Sequence, residues 1–467
     1  MFMLDLAQTS YNMYNTNKKI EQQWVSQKHG MNRSISAIDD AVNALIQFEK
    51  STTSMKTLLR ELQATSVDTF VSKIPAQSLS LGVIRFRNTI DYLLQKSLGK
   101  KKLMDLNVRD RNILRLILYE AKWLDAGIDE ILSRLPEIEE TYGNIIMRAV
   151  ETDLDAIVKK LATANRLSLR YSHPTFLVRT LLDNLSFEET IKLLNANNKK
   201  RTYYLRLNRL LGGDDSILNS LAGVKLVIDP DIPGLYRVLD GIERVIASPF
   251  FQDGYILIQD KASVLSVEAL DTHPGQTVWD SCAAPGMKTQ LIAEKLMGKG
   301  KLIASDVYKE RVKGAHNRSA YLNAHHIEWL HADSTSPVVT SADKILIDAP
   351  CTSTGILQAY PSFKWRLNKQ VLFSLMTIQN KLLDGILSLY QNKPGTEIVF
   401  STCSILPHEG ESQIDSALSR HNIELLEPMN IGARGYPGFN CSQKVTRMFP
   451  HIHNTSGFFI ARMRIKS

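Results

Sequence analysis

The chain of 467 residues has few cysteines, only four, at positions 282, 351, 403 and 441. They are too scattered for a disulfide framework and lack the short paired spacing of a zinc site, so we predict no metal. This usage favours a reducing, cytoplasmic compartment. The sequence also lacks an apolar run long enough to span a bilayer and an N-terminal secretory signal. We therefore expect no association with membranes. We also expect a monomer.

Acidic residues are outnumbered by basic ones. The chain has 56 Lys and Arg against 48 Asp and Glu, which gives a formal charge of +8 and an isoelectric point of about 9.1. Positive charge favours polyanions, because neutralising phosphates releases condensed counterions. A generally basic proteome or solvated charged faces would produce the same excess. Charge alone therefore favours a nucleic-acid partner only modestly.

The apolar pattern divides the chain into four segments. Residues 1–34 are polar and weakly periodic, which predicts a disordered extension. Residues 35–165 repeat apolar positions at three- and four-residue steps, which predicts an all-helical domain. Residues 166–245 combine helix with a basic stretch and predict a small α+β RNA-binding domain. Residues 246–467 alternate short apolar runs with helical patterns, which predicts a mainly parallel, doubly wound sheet.

Residues 199–209 place basic side chains beside tyrosines. Such interleaving suits RNA, because the cations pair with phosphates and the rings stack on bases. An amphipathic helix end followed by an edge strand would look the same, and this stretch alone does not decide between the two. The basic and aromatic residues are Lys199, Lys200, Arg201, Tyr203, Tyr204, Arg206 and Arg209.

The segment "DSCAAPGMKTQLIAEKL", 280–296, reads as a strand, a loop of small residues and a helix. The loop lets a ligand approach the backbone closely, and the helix start offers free N–H groups. It matches neither the Walker loop nor G-x-G-x-x-G. It can cradle a nucleotide-like cofactor, but its shape does not choose between S-adenosylmethionine and NAD.

Three aspartates follow successive apolar runs. Asp306 lies about 20 positions beyond the loop, where a carboxylate can bind a ribose diol. An N-cap role for Asp306 is the alternative. Asp333 could accept a hydrogen bond from an adenine amino group, and Asp348 ends the next run. Ligands bind at the carboxyl ends of parallel strands, so three carboxylates there indicate a site.

Two cysteines also follow apolar runs. Cys351 lies in "DAPCTSTG", 348–355, and Cys403 in "STCSILPHEGE", 401–411. They could converge over one pocket. Buried inert thiols or a regulatory disulfide are the alternatives, since free Cys is often buried.

Together these segments resemble the RNA cytosine-C5 methyltransferases of the RsmB (Sun/Fmu) type. The loop at 280–289 resembles the family's D-x-CAAPGGKT, 348–355 resembles DAPCSGTG, and 401–411 resembles S-T-C-S-x-x-P-x-E-N/G-E. The resemblance covers nearly everything from about residue 35, and the helical domain resembles NusB. It implies a Rossmann-like class I methyltransferase domain after the RNA-binding segments.

The resemblance implies methylation of cytosine carbon 5 in structured RNA, with S-adenosyl-L-methionine as cofactor and ribosomal RNA as the first candidate substrate. Cys403 would add to carbon 6, which makes carbon 5 nucleophilic. Asp348 would hydrogen-bond the ring and protonate N3, with Lys288 also in the catalytic set, and Cys351 would assist elimination. Lys364 would contact RNA. The implied cofactor residues are Cys282, Ala283, Ala284, Pro285, Gly286, Met287, Lys288, Asp306, Asp333 and Asp348.

The sequence departs from the family at Met287, which replaces the second loop glycine. If that position needs a positive φ, Met is costly and cofactor affinity falls. A catalytically weak RNA-binding assembly factor therefore stays open as an alternative. A transfer-RNA methyltransferase is a second alternative, because the resemblance also extends to enzymes that modify transfer RNA. A methyltransferase acting on protein or small molecules is disfavoured, since O- and N-methylation need no thiol.

Overall fold

The computed structural model describes residues 34–51, 55, 58 and 73–467. The predicted disordered extension, 1–34, lies outside this range except for its last residue, which begins a helix. The described chain divides into two compact units. The first contains the helices up to Asn198 together with Tyr360–Leu367, and the second contains Lys199–Ala359 and Asn368–Ser467.

The first unit is helical, as the periodicity predicts. The predicted helix at 109–124 is observed at Val108–Trp123, where Asn107 caps it by accepting from Arg109 N, and it buries Ile113 and Leu116. The 3-10 turns of the first unit are Leu103–Asp105 and Pro361–Trp365. The α-helices are α1 Ser34–Lys50, α2 Lys73–Leu98, α3 Val108–Trp123, α4 Ile128–Ser133, α5 Pro136–Glu151, α6 Leu154–Val158, α7 Thr163–Arg170, α8 Thr175–Asn184 and α9 Phe187–Asn197.

The second unit begins with a small antiparallel sheet whose strand order is β2-β3-β1-β4. Leu205, Leu207, Val238 and Val245 are buried in its core. The strands are β1 Tyr203–Leu207, β2 Lys225–Ile228, β3 Leu235–Asp240 and β4 Ile256–Ile258, and the helices are α10 Ser216–Asn219, α11 Ile242–Ala247 and α12 Pro249–Gln252.

The predicted segment 166–245 is divided in the structure. Its helices up to Asn197 pack in the first unit. Its strands and the helix Ser216–Asn219 belong to the second unit, and the strands need β4, beyond residue 245, to complete their sheet. The boundary falls between α9 and β1. Sequence pattern missed it because no Gly- or Pro-rich linker separates the two parts.

The rest of the second unit is built on a large mixed sheet. Its order is β10-β12-β9-β8-β5-β6-β7, with β11 paired to β12. The strands from β5 to β9 run parallel, and β12 runs antiparallel to β9. The strands are β5 Thr277–Asp280, β6 Lys301–Asp306, β7 Ile327–His331, β8 Lys344–Asp348, β9 Glu397–Thr402, β10 Ile423–Leu425, β11 Val445–Met448 and β12 Phe458–Ile465.

Helices and short turns connect these strands. The helices are α13 Lys261–Glu268, α14 Met287–Leu296, α15 Lys309–Tyr321, α16 Lys369–Tyr390, α17 Glu411–Arg420 and α18 Pro450–His453. The 3-10 turns are Arg209–Leu211, Thr354–Ile356, Pro407–Glu409 and Ser442–Lys444.

The strand order places the predicted site at one edge of the sheet. β5 has β6 on one side and β8 on the other, so the chain switches direction across the sheet at β5. Ligands bind at the carboxyl ends of strands beside such a switch. Asp280, Asp306 and Asp348 end β5, β6 and β8, and Cys403 follows β9. Among the described helices, none is long and apolar enough to cross a membrane.

Candidate active site

The two cysteines at the strand ends meet. The Sγ atoms of Cys351 and Cys403 are 3.3 Å apart, and both residues are free thiols. They converge because β8 and β9 are parallel neighbours in which Asp348 lies opposite Ser401. Ser353 Oγ is 3.7 Å from Cys403 Sγ. One substrate atom can therefore be reached by both thiols.

The thiols have unequal surroundings. The hydrogen bond with Cys403, followed by burial, raises the pKa of Cys351 well above its ordinary value. Cys351 is buried, whereas Cys403 is partly exposed. A thiolate is the nucleophilic form of cysteine, so the raised pKa disfavours Cys351 as the nucleophile, and the partly exposed Cys403 is the thiol that a substrate can reach.

Asp348 and Lys288 form an ion pair beside the thiols. Lys288 Nζ is 2.8 Å from Asp348 Oδ2, and Ser401 Oγ donates to Asp348 Oδ1 at 2.9 Å. Burial lowers the pKa of Lys288, but the charges of Asp348 and Cys403 outweigh burial and raise it overall. Lys288 Nζ also lies 5.3 Å from the centre of the Phe458 ring. Lys288 therefore stays charged and fixes the Asp348 carboxylate.

The small-residue loop after β5 turns sharply at Gly286. Its φ is +97°, and a Cβ there would come within 3.3 Å of the Trp329 ring. Met287 is the first residue of α14 and is absent from the residues with positive φ. The hypothesis that Met287 strains the loop is therefore wrong, because the position that needs the left-handed conformation still carries glycine.

The remaining loop residues lie where the sequence predicts. Cys282, Ala283, Ala284 and Pro285 connect β5 to Gly286, and Ala283 N donates to Ser305 O on β6 at 2.9 Å. Burial raises the pKa of Cys282. The loop thus presents small side chains and backbone at the switch between strands, with little steric bulk against a ligand.

Asp306 occupies the end of β6 and braces this loop. It is buried, accepts from Ala284 N at 3.3 Å and pairs with Arg311 at 3.1 Å. Burial raises the pKa of Asp306, and Arg311 opposes that rise. α15 begins at Lys309, with Tyr308 at its N-cap position, so the alternative role of Asp306 as the N-cap is wrong.

Asp333 differs from Asp306 in being exposed. Its Oδ1 accepts from Thr335 N at 2.9 Å and from Thr335 Oγ1 at 2.8 Å, which stabilises its own turn. It follows β7, the edge strand of the sheet. It is therefore placed at the rim of the site, where a ligand can still reach its carboxylate.

Asp280 was not selected as a site residue from sequence. It is buried and accepts from Thr289 Oγ1 at 2.7 Å through Oδ2, while its Oδ1 has no hydrogen-bond partner in the described part of the chain. Burial raises its pKa to about 7. Its place at the end of β5, the strand before the loop, was the signal that could have identified it.

These features fit S-adenosylmethionine, which carries an ammonium group and a ribose. An unpaired buried carboxylate oxygen at Asp280 suits a cationic group, and Asp306 ends the next strand, where a ribose diol binds in doubly wound sheets. The glycine turn at 286 leaves the backbone open. The described residues contain no cluster of three or more His, Cys, Asp or Glu arranged to hold a metal.

The predicted RNA-binding residues separate into two groups. Lys199 and Lys200 are exposed, and the Arg201 guanidinium stacks 4.2 Å from the Tyr203 ring centre. Arg206 is a correction to the predicted set, because it is buried. It pairs with Glu294 at 2.9 Å and donates to Gln259 Oε1 at 2.7 Å. A charge on the inner face of β1 must be paired in this way.

Lys364 is a second correction. It lies in the first unit, fully buried, and donates from Nζ to Ser172 O at 3.0 Å and to Asn198 Oδ1 at 2.6 Å. Burial lowers its pKa well below the ordinary value. Its contacts stabilise the fold, and it offers no surface to RNA.

Comparison with known proteins agrees with this geometry. Residues 267–464 match the family model "16S rRNA methyltransferase RsmB/F", and residues 35–145 match the NusB family. Ribosomal RNA small subunit methyltransferase B of Photorhabdus laumondii is 28% identical over 448 residues, which cover 92% of this chain and 98% of that protein. Human 28S rRNA (cytosine(4447)-C(5))-methyltransferase is 29% identical over 313 residues, 64% of this chain and 38% of the human protein.

The fold has a solved counterpart. The crystal structure of PH0851 covers 94% of this chain and 100% of its own, with a TM-score of 0.74 and 24% identity. Sheet order, cofactor loop and paired thiols define an S-adenosylmethionine-dependent methyltransferase. Within that class, the chain is an RNA cytosine-C5 methyltransferase that is similar to the RsmB/F family over residues 267–464 and to the NusB family over residues 35–145.

Proposed function

We propose that this enzyme methylates carbon 5 of a cytosine in small-subunit ribosomal RNA, with Cys403 as nucleophile and Cys351 assisting product release. The observation that carries the proposal is the 3.3 Å contact between the two thiols at the ends of adjacent strands. A methyltransferase that transfers the methyl group to an oxygen or nitrogen needs neither thiol, because that atom is itself the nucleophile. Carbon 5 of cytosine is too weak a nucleophile without one.

The chemistry divides among the residues as follows. Cys403 adds to carbon 6, and the electrons displaced from the ring make carbon 5 nucleophilic. Asp348 hydrogen-bonds the cytosine edge, and the proton held between Asp348 and Lys288 can pass to N3 as charge develops there. When bound, S-adenosylmethionine supplies the methyl group. Elimination then passes the carbon 5 proton to the sulfur of Cys351, which acts as a thiolate base. The electrons of that C–H bond restore the ring double bond, Cys403 leaves carbon 6 as a thiolate, and N3 returns its proton to Asp348.

The choice of ribosomal RNA is supported by the relatives, which are named as ribosomal RNA methyltransferases, and by the NusB-like domain. The exposed cations at 199–201 supply phosphate-binding charge in the second unit. The target cytosine must leave its stack to reach the thiols, which favours a loop or another unpaired site. We place the reaction in the cytoplasm, where the thiols stay reduced.

The test uses the purified full-length chain with S-adenosylmethionine labelled in the methyl group. Deproteinised ribosomal RNA and transfer RNA serve as separate substrates, and bisulfite sequencing locates the product. We expect label in ribosomal RNA at one protected cytosine. Label in transfer RNA alone would mean that transfer RNA, and not ribosomal RNA, is the substrate. Label in neither RNA, together with no rise in thermal stability when cofactor is added, would favour the assembly-factor alternative.

A further inference from the structure

Glu409 lies fully buried on the 3-10 turn that follows Cys403. Its carboxylate accepts from Thr352 N at 2.9 Å through Oε1 and from Thr352 Oγ1 through Oε2. Thr352 is the residue after Cys351. A carboxylate on the Cys403 loop therefore holds the backbone and the side chain next to the other thiol.

Gln379 of α16 completes this arrangement. Its Nε2 donates to Glu409 Oε1 at 3.0 Å and to Pro350 O at 2.8 Å. The residues before and after Cys351 are thus both tied to one buried carboxylate, either directly or through one amide. Further bonds join the same loops, since Gly355 N donates to Cys403 O at 2.9 Å.

Burying a carboxylate between two loops carries a large desolvation free energy. Its desolvation disfavours folding unless hydrogen bonds compensate, and an apolar residue would avoid that cost. Glu409 is linked to both sides of Cys351, to Thr352 directly and to Pro350 through Gln379, which restricts the position of the Cys351 thiol relative to Cys403.

We propose that Glu409 is a positioning residue that holds Cys351 in register with Cys403 for the release of methylated RNA. The inference rests on the proposed role of Cys351 in elimination. Addition and methyl transfer depend on Cys403, which follows β9, whereas the Glu409 carboxylate is bonded to Thr352 and Gln379. Loss of Glu409 should therefore slow release more than it slows methyl transfer.

Two substitutions separate geometry from charge. Glu409→Ala removes every acceptor and frees the Cys351 loop. Glu409→Gln keeps Oε1 for Thr352 N and Gln379, and its amide can donate to Thr352 Oγ1. Positioning predicts that the glutamine variant behaves almost as wild type. Thr352→Val removes the hydroxyl that donates to Glu409, together with its longer contacts to Thr354 and Ser404, with little change in volume. It tests the same contact if the alanine variant does not fold.

The experiment follows the covalent protein–RNA adduct on denaturing gels, with full-length protein, S-adenosylmethionine and substrate RNA. Single-turnover methyl transfer is measured in parallel. Cys351→Ala is the reference for blocked release. Asp229→Asn is the matched control, because Asp229 is another buried carboxylate of the second unit that instead pairs with Lys261 at 2.8 Å.

We expect Glu409→Ala to accumulate adduct on the order of tenfold above wild type, with methyl transfer largely kept. Thr352→Val should accumulate less, and Glu409→Gln and Asp229→Asn should stay near wild type. Adduct in Cys351→Ala but not in folded Glu409→Ala or Thr352→Val would overturn this inference alone. Adduct in Asp229→Asn, or failure of Glu409→Gln to restore release, would also overturn it. Absence of adduct in Cys351→Ala would overturn the proposed role of Cys351 as well.

Discussion

Cys351 Sγ lies 3.3 Å from Cys403 Sγ, and the two thiols come from neighbouring parallel strands. The distance exceeds the roughly 2.0 Å of a disulfide bond and fits a hydrogen-bonded pair. Both sulfur atoms can therefore face the same carbon 6–carbon 5 bond of a cytosine. Addition and release can then be assigned to different residues of one site.

The first prediction separates the two thiols. Cys403→Ala should abolish methylation while S-adenosylmethionine still binds, because it removes the nucleophile. Cys351→Ala should add to the RNA and transfer the methyl group but remain joined to its product. Denaturing electrophoresis should show adduct in Cys351→Ala and none in the double variant. The reverse pattern would exchange the roles, and full turnover in both single variants would exclude covalent catalysis.

The second prediction concerns Asp306. Asp306→Ala should weaken S-adenosylmethionine binding and also lower the free energy of unfolding by roughly 1–3 kcal/mol, because Arg311 and the Ala284 N–H lose their buried partner. Isothermal titration and urea unfolding measure the two effects. The exposed Asp333→Ala is the control, with weaker cofactor binding expected but stability within about 0.5 kcal/mol of wild type. Unchanged cofactor affinity in Asp306→Ala would remove this residue from the site.

Sequence pattern predicts the strand ends of this site well, because apolar runs set the strands and the residues that follow them share one edge. It predicts partners poorly. Arg206 reads as one of a row of cations, yet it pairs with Glu294, 88 residues away, which no local pattern reveals. Lys364 likewise depends on contacts with distant backbone. The backbone conformation of Met287 was also not predictable from sequence pattern, because it depends on the residue at which α14 begins.

The third prediction concerns pH. Burial raises the pKa of Asp280 from 3.8 to about 7, with Asp348 adding to the rise and Thr289 and Lys288 opposing it. The folded state therefore holds a proton that the unfolded state releases between these values, so Asp280 makes stability fall as pH rises from about 4 to 7. The loss is at most on the order of 4 kcal/mol.

Asp280→Asn keeps an acceptor for Thr289 and removes the titration. Urea unfolding at pH 5 and pH 8 should therefore show a larger loss of stability for wild type than for the variant. Equal losses in the two proteins would mean that Asp280 is ionised across this range, as it would be if a cation neutralised it. Bound S-adenosylmethionine should reduce the difference between the proteins, because its ammonium group would favour the ionised carboxylate.

The fourth prediction concerns the exposed cations at the start of the second unit. Changing Lys199, Lys200 and Arg201 together to Ala should weaken RNA binding and lower the slope of log K against log salt by up to about 2–3, because each phosphate contact contributes roughly 0.7–0.9. Filter binding at several salt concentrations measures both quantities. The matched control changes three exposed lysines on and before α15, namely Lys299, Lys309 and Lys313, to Ala. It removes the same charge outside the 199–201 surface, so it should keep the wild-type slope. Equal losses in both variants would show that total charge, rather than the 199–201 surface, governs affinity, and an unchanged slope in the first variant would place the RNA contacts elsewhere.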